Sequence, residues 1–180
     1  IRQRISIPIV DVISPSVNAI SKLQNIKTIG VIGTETTVNS LEYQNQIKKI
    51  NNKCDVLVRP CSLFVPLIEE GLSNHALADS IVEMYLDKIF CSAIDALILG
   101  CTHYPMLKNK IAQFLDRDQH IIDSSTATAI YIKEYLNDNN LNITKTNNLI
   151  DQFYVSDKVA RFNEIASMFL NEEIINVQQV

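Results

Sequence analysis

The 180-residue chain has no tryptophan, only four glycines and only three histidines, and it carries no dense run of lysine or arginine. With a net charge of -4 and no basic stretch interleaved with aromatics, it lacks the electrostatic footprint that draws proteins onto phosphate backbones, so nucleic acid is excluded as an expected partner. No apolar stretch approaches the ~18 residues that would cross a bilayer, and the first residues lack a secretory signal pattern, so no membrane association and a cytoplasmic location are expected. The four cysteines, Cys54, Cys61, Cys91 and Cys101, contain no CxxC spacing, and His75, His103 and His120 have no metal-ligand rhythm. Neither a disulfide framework nor a metal site is indicated, and no cofactor motif is present.

What is present is enough apolar material for a real core, 47% of the residues, arranged as short β-branched runs alternating with longer stretches of helical period. That alternation is the pattern of βαβ units around a parallel sheet, an α/β fold. Strands are predicted at Ile7 to Ile13, Thr28 to Ile32, Asp55 to Arg59, Ala96 to Leu99, His120 to Ile122 and Phe153 to Val155. The helices expected between them open near Pro15, run through about Ile50 with Ile47 and Ile50 on the apolar face, cover Leu63 to Glu70 with a stop at Gly71, and span Leu77 to about Phe90. Further helices are expected over Pro105 to Phe114, Thr126 to Leu136 and Lys158 to Leu170. Asn137 to Asn148 reads as a polar loop, and the best division of the chain falls at 123/124.

In parallel α/β sheets, ligands collect at the carboxyl ends of the strands. Leu99-Gly100-Cys101-Thr102-His103-Tyr104-Pro105 closes the most apolar strand. Gly100 permits close backbone approach, and Pro105 sets a helix start just past Cys101. A thiol beside a helix N-terminus and an imidazole can be lowered toward a thiolate near neutrality, which equips Cys101 as an acid or base with His103 as its proton partner. The amides of Thr102 and His103 are placed to hold a small carboxylate. An isolated cysteine is most often only a small buried hydrophobe, and that is the reading for Cys54, Cys61 and Cys91. Thr34 and Thr37, at a strand-to-helix turn, read as helix caps or as pocket-lining residues.

The heptapeptide resembles the signature of the glutamate racemases, in the aspartate/glutamate racemase superfamily, and other segments fit in order. Gly30-Val31-Ile32-Gly33-Thr34 with Thr37-Val38 and Ser40-Leu41-Glu42-Tyr43, Cys61-Ser62-Leu63-Phe64-Val65-Pro66 through Glu69-Glu70-Gly71, Ile122-Asp123-Ser124 with Thr128-Ala129, and Phe153-Tyr154-Val155-Ser156-Asp157 with Arg161-Phe162 are each similar to family blocks. The resemblance implies cofactor-independent racemisation of L-glutamate to D-glutamate for bacterial peptidoglycan by two cysteines, of which Cys101 is one. It implies substrate contacts by Thr102, His103, Thr34 and Thr37, and a Glu69 carboxylate that orients His103, with Glu70 as the competing choice. Residues 1–123 are then the second racemase domain and 124–180 a returning segment that completes the first.

The family's other cysteine, in a Cys-Asn-Thr segment, does not occur here. The chain alone is therefore expected to be inactive, as part of a longer protein whose oligomeric state leaves room for a homodimer. Aspartate racemases usually carry Thr-Glu after the cysteine, whereas Thr102-His103 favours glutamate. A competing reading is an amino-acid-binding or regulatory module without turnover.

Overall fold

The computed structural model describes residues 7–116, 118–142, 151–174 and 176–180. It divides into two compact units, Ile1–Asn139 and Asn140–Val180.

The larger unit is built on a four-stranded parallel sheet of β1 (Thr28–Gly33), β2 (Asp55–Pro60), β3 (Ala96–Leu99) and β4 (His120–Asp123), in the order β2-β1-β3-β4. Its centre is continuous hydrophobic sequence because both faces are covered: every residue of β3 is buried, as are the last five of β1. On one face Ile29, Val31, Ala96 and Ile98 meet Val17 and Ile20 of helix α1 (Ile13–Ser21). They also meet Tyr43 and Ile47 of a second helix, Glu42–Ile50. The strands are pinned at their start by Asp95, whose Oδ2 accepts the N–H groups of Lys27 and Thr28, each at 2.7 Å. Those two hydrogen bonds to the ionised carboxylate hold Asp95 below the usual carboxylate range.

Most expected elements are found within a residue or two of their predicted ends, and the departures have local causes. Ile7 to Ile13 is not a strand. Asp11 takes the N–H groups of Ile13 and Ser14 at 3.0 and 2.7 Å and starts α1 instead, while Pro8 has no N–H to offer a ladder. The single helix expected up to Ile50 is two, α2 (Glu35–Asn39) and α3 (Glu42–Ile50). Between them Leu41 sits in the left-handed region with φ 56°. The break rotates the apolar face, so that Tyr43 and Ile47 are buried whereas Ile50 is 50% exposed. After α4 (Phe64–Glu69) the chain turns at Gly71, φ +73°, as a helix stop requires.

The helix expected over Leu77 to Phe90 is divided into α5 (Ala76–Tyr85) and α6 (Lys88–Ser92). Asp87 caps α6 by accepting the Phe90 N–H at 2.9 Å, and its other oxygen takes Arg59. Past β3 the expected helix is a 3₁₀ turn (Tyr104–Leu107), helix α7 (Lys108–Ile111) and a second 3₁₀ turn (Ala112–Phe114). Helix α8 (Ser124–Asp138) begins directly at the end of β4, capped by Asp123, and packs against α1. It extends into the stretch read as a polar loop, of which residues 143–148 lie outside the described residues.

The smaller unit pairs β5 (Phe153–Val155) in parallel with β6 (Val177–Gln179), with α9 (Val159–Leu170) between them. The strand β6 is not foreshadowed by the sequence pattern. Among the described residues no helix is long and apolar enough to cross a membrane.

Candidate active site

The carboxyl ends of β1, β2 and β3 bring three loops together at one edge of the sheet. The Gly100 N–H donates to the Ile32 carbonyl at 2.7 Å, and the Cys61 N–H donates to the Gly33 carbonyl at 2.9 Å. Gly33 and Gly100 are therefore neighbours, and the space a side chain would take is already filled. A Cβ at Gly33 would lie 3.1 Å from Thr37 Cβ, and one at Gly100 would lie 2.9 Å from the Ile32 oxygen and 3.0 Å from the Tyr43 ring. This crowding seats the segment after β3 low on the sheet edge, with Cys101 at its head.

Cys101 is partly exposed, unlike Cys54, Cys61 and Cys91, which are buried. Burial is the largest influence on it and pushes the thiol above its ordinary value, outweighing the nearby backbone N–H groups of His103 and Tyr104, which favour thiolate. Here the sequence expectation of a lowered thiol is corrected. The helix start past Cys101 is a four-residue 3₁₀ turn with little dipole to offer, and its amides do not offset the desolvation.

His103 is half-buried, and its Nε2 lies 3.3 Å from Oε1 of Glu69, at the last position of α4. Cys101, Thr102, His103 and Glu69 thus gather at one end of β3, with Thr102 exposed beside the thiol. Thr34 and Thr37 stand at the end of the neighbouring strand β1 and are engaged with each other. Thr34 Oγ1 accepts the Thr37 N–H at 3.3 Å as the cap of α2, and the two hydroxyls are 3.0 Å apart. Capping therefore occupies the Thr34 oxygen, whereas the Thr37 side chain stays at the Gly33 wall of the site.

The other thiols are set in packing. Cys61 has no exposed surface, its sulfur donates to the Arg59 carbonyl, and burial pushes it up to about 12. Among the described residues no three His, Cys, Asp or Glu side chains gather to hold a metal.

Two tyrosines frame the site and were not singled out from sequence. Tyr43, 2% exposed, lies under Gly100 and hydrogen-bonds Ser16; burial pushes its phenol up to about 12. Tyr104 is fully buried, and its hydroxyl donates to the Cys61 carbonyl at 2.9 Å. Its place inside the heptapeptide was the available signal. Tyr43 closes the Ser40-Leu41-Glu42-Tyr43 segment that resembles a family block, but its helical spacing from Ile47 reads as core.

Comparison with known proteins finds racemases. The profile of the Asp/Glu/Hydantoin racemases matches residues 1–131. A glutamate racemase of Persephonella marina is 38% identical over 97% of this chain and 64% of its own length. The crystal structure of the Francisella tularensis glutamate racemase in complex with D-glutamate superposes with a TM-score of 0.86 at 38% identity, covering 97% of this chain and 64% of that one. A glutamate racemase isoform from Bacillus anthracis superposes with a TM-score of 0.90 at 31% identity, over 99% and 66% of the two chains. The chain therefore spans about 64% of the length of the relative from Persephonella.

Proposed function

Because this chain belongs to the Asp/Glu/Hydantoin racemase family, we propose that it is the Cys101-bearing part of a glutamate racemase, an isomerase that works without a cofactor. The observation that carries the reading is the cluster at the end of β3. A partly exposed thiol stands within one loop of an imidazole whose far nitrogen meets a carboxylate. Racemisation removes the α-proton from one face of the amino acid and delivers a proton to the other, so it needs a base on one side and an acid on the opposite side. Cys101 serves one face as thiolate or thiol. Its partner cysteine belongs to the part of the relatives' length that this chain does not cover. With the Cys101 thiol held above its ordinary value, formation of thiolate depends on His103 taking its proton, and Glu69 stabilises the imidazolium that results. Thr102 contacts the substrate beside the thiol, and Thr37 and Thr34 line the β1 side of the pocket.

On this reading residues 1–123 are the second racemase domain, and 124–180 return to complete the first. The product D-glutamate serves bacterial peptidoglycan synthesis in the cytoplasm, by an enzyme whose assembly leaves room for a homodimer. Support for glutamate over other substrates comes from His103, and from the D-glutamate bound to the Francisella relative.

The test is chiral analysis of glutamate incubated with this chain and with the complete two-cysteine enzyme. Turnover is expected from the second and none from the first. Robust racemisation by the 180-residue chain would mean that a second base had been overlooked. Cys101→Ser in the complete enzyme should nearly abolish racemisation, a hydroxyl being a far poorer base than a thiol. On the face assignment the resemblance implies, with Cys101 taking the proton from the L-enantiomer, the variant should also abolish deuterium uptake into L-glutamate in D₂O, any residual uptake being confined to the D-enantiomer. Near-normal racemisation would remove Cys101 from the chemistry.

A further inference from the structure

The Cys61 backbone is a junction between the three loops of the site. Its N–H is bound to the end of β1, at the Gly33 carbonyl. Its carbonyl accepts two donors: the N–H of Phe64 at 3.1 Å, which starts α4, and the hydroxyl of Tyr104 at 2.9 Å, which follows His103. The Tyr104 N–H in turn donates to the Cys101 carbonyl at 3.1 Å. One carbonyl oxygen thus ties the root of the helix that carries Glu69 to the loop that carries Cys101 and His103. The Tyr104 ring is fixed edge-on against Phe64, with centroids 5.1 Å apart, and Phe64 is fixed likewise against Tyr85 at 5.3 Å.

Resting on the functional reading above, we propose that Tyr104 is a positioning residue for the reaction: its hydroxyl, bound to the Cys61 carbonyl, sets the spacing between Glu69 and His103. It does not touch substrate. Two features make the hydroxyl the decisive group. Glu69 lies at the far end of a six-residue helix, so a small tilt at Phe64 is carried directly to the carboxylate. The His103–Glu69 contact, at 3.3 Å, is already near the long limit of a hydrogen bond, so little displacement separates the pair. Catalytic geometry of this kind is sensitive, and a misplacement of ~1 Å can cost ~100-fold in rate.

The test is a double-mutant cycle in the complete enzyme, read as kcat and KM for glutamate. Tyr104→Phe removes one oxygen atom and keeps the ring contacts. It should lower kcat by roughly 10-fold with KM within about 2-fold, as expected for loss of an alignment used in the chemical step. Glu69→Gln should lower kcat by at least as much. In the Glu69→Gln background the additional effect of Tyr104→Phe on kcat should shrink below about 2-fold, because the tyrosine acts through the carboxylate. Phe64→Leu, which loosens the ring packing but leaves the hydroxyl bond, should lower the melting temperature with a clearly smaller kcat loss than Tyr104→Phe. Losses that simply multiply in the double variant would overturn the proposal, as would Tyr104→Phe at full kcat or an equal kcat loss in Phe64→Leu. If Glu69→Gln itself left kcat unchanged, the reading of the His103–Glu69 pair would fall, a result separable from failure at Tyr104.

Discussion

Replacing Gly100 by alanine places a methyl group where the structure has no room for one. The new Cβ would stand 2.9 Å from the Ile32 carbonyl oxygen and 3.0 Å from Cε2 of Tyr43, both closer than an ordinary van der Waals contact of 3.4–4 Å. Neither neighbour can recede freely. The Ile32 oxygen already accepts the Gly100 N–H at 2.7 Å, so separating the two atoms strains the β1–β3 ladder. Tyr43 is 2% exposed and bound to Ser16. Overpacking of this kind costs ~1–3 kcal/mol. With a urea slope of ~1–3 kcal/mol per molar, the unfolding midpoint should move down by on the order of 1 M.

Gly71→Ala makes the control. Nothing lies within 4 Å of its Cβ position, and the cost there comes from the backbone, φ +73° being unfavourable for an L side chain by ~1–2 kcal/mol. Both variants should therefore lose comparable stability in urea titrations followed by circular dichroism, but only Gly100→Ala should alter the rate at which iodoacetamide alkylates Cys101, the next residue. A Gly100→Ala protein as stable as the parent, with unchanged Cys101 reactivity, would refute the argument that this glycine seats the thiol loop.

Further expectations follow from the same geometry. Native-state alkylation should select Cys101 over the three buried thiols. Its rate should keep rising with pH beyond the ordinary thiol range, because burial holds the proton on; a plateau below neutrality would contradict this. Asp95 is held below its unfolded value of ~3.9, so its contribution to stability is present above that pH and lost as pH falls through the lower folded value. Asp95→Asn should thus lower the urea midpoint at pH 7 and flatten its acid dependence, and an unchanged acid slope would remove Asp95 from the account. Cys61 and Tyr43 are both pushed up to about 12, so their contributions are intact below the unfolded values of ~8.5 and ~10 and are lost as pH rises toward 12. Melting temperature should fall across that window, and Cys61→Ala should fall less steeply; equal slopes would show that Cys61 does not ionise on unfolding. In the complete enzyme, His103→Asn should reduce kcat by ~100-fold or more with at most a modest change in KM. A pure KM effect would make His103 a binding residue.

The parallel sheet was legible because its strands are buried on both faces, and Ala96 to Leu99 could hardly be read otherwise. The helix interruptions at Leu41 and Leu86–Asp87 were not. Hydrophobic period survives a break of one or two residues, and Leu41 is not a residue that signals a left-handed turn. Ile7 to Ile13 misled because β-branched composition is a statement about burial against a partner strand, and Asp11 spends that segment on a helix cap. At the site, Cys101, Thr102, His103 and Glu69 were named from the heptapeptide and its family resemblance, and the fold brings these four together. The sign of the thiol shift was not readable, because a sequence shows a following helix but not whether it opens as a tight 3₁₀ turn, nor how deeply the sulfur is buried. Tyr43 and Tyr104 meet partners far apart in sequence, Ser16 and the Cys61 carbonyl, and those contacts no local pattern records.

The strand order also dictates a schedule of assembly. The central strand β1 can pair with β2 as soon as the βαβ unit between them closes, whereas the Asp95 carboxylate that anchors β3 lies 67 residues beyond Thr28. Pairing of β3 with β1 at such a separation carries a larger loop-closure entropy than the β1–β2 or β3–β4 pairings, so docking of β3 onto β1 is expected to come after them. Gly33 and Gly100 become neighbours only at that moment. The thiol loop therefore has no organised surroundings in any intermediate that precedes insertion of β3. In a refolding experiment, restoration of native Cys101 reactivity should lag behind recovery of helix, and track the burial of Leu97 and Leu99 at the heart of the sheet.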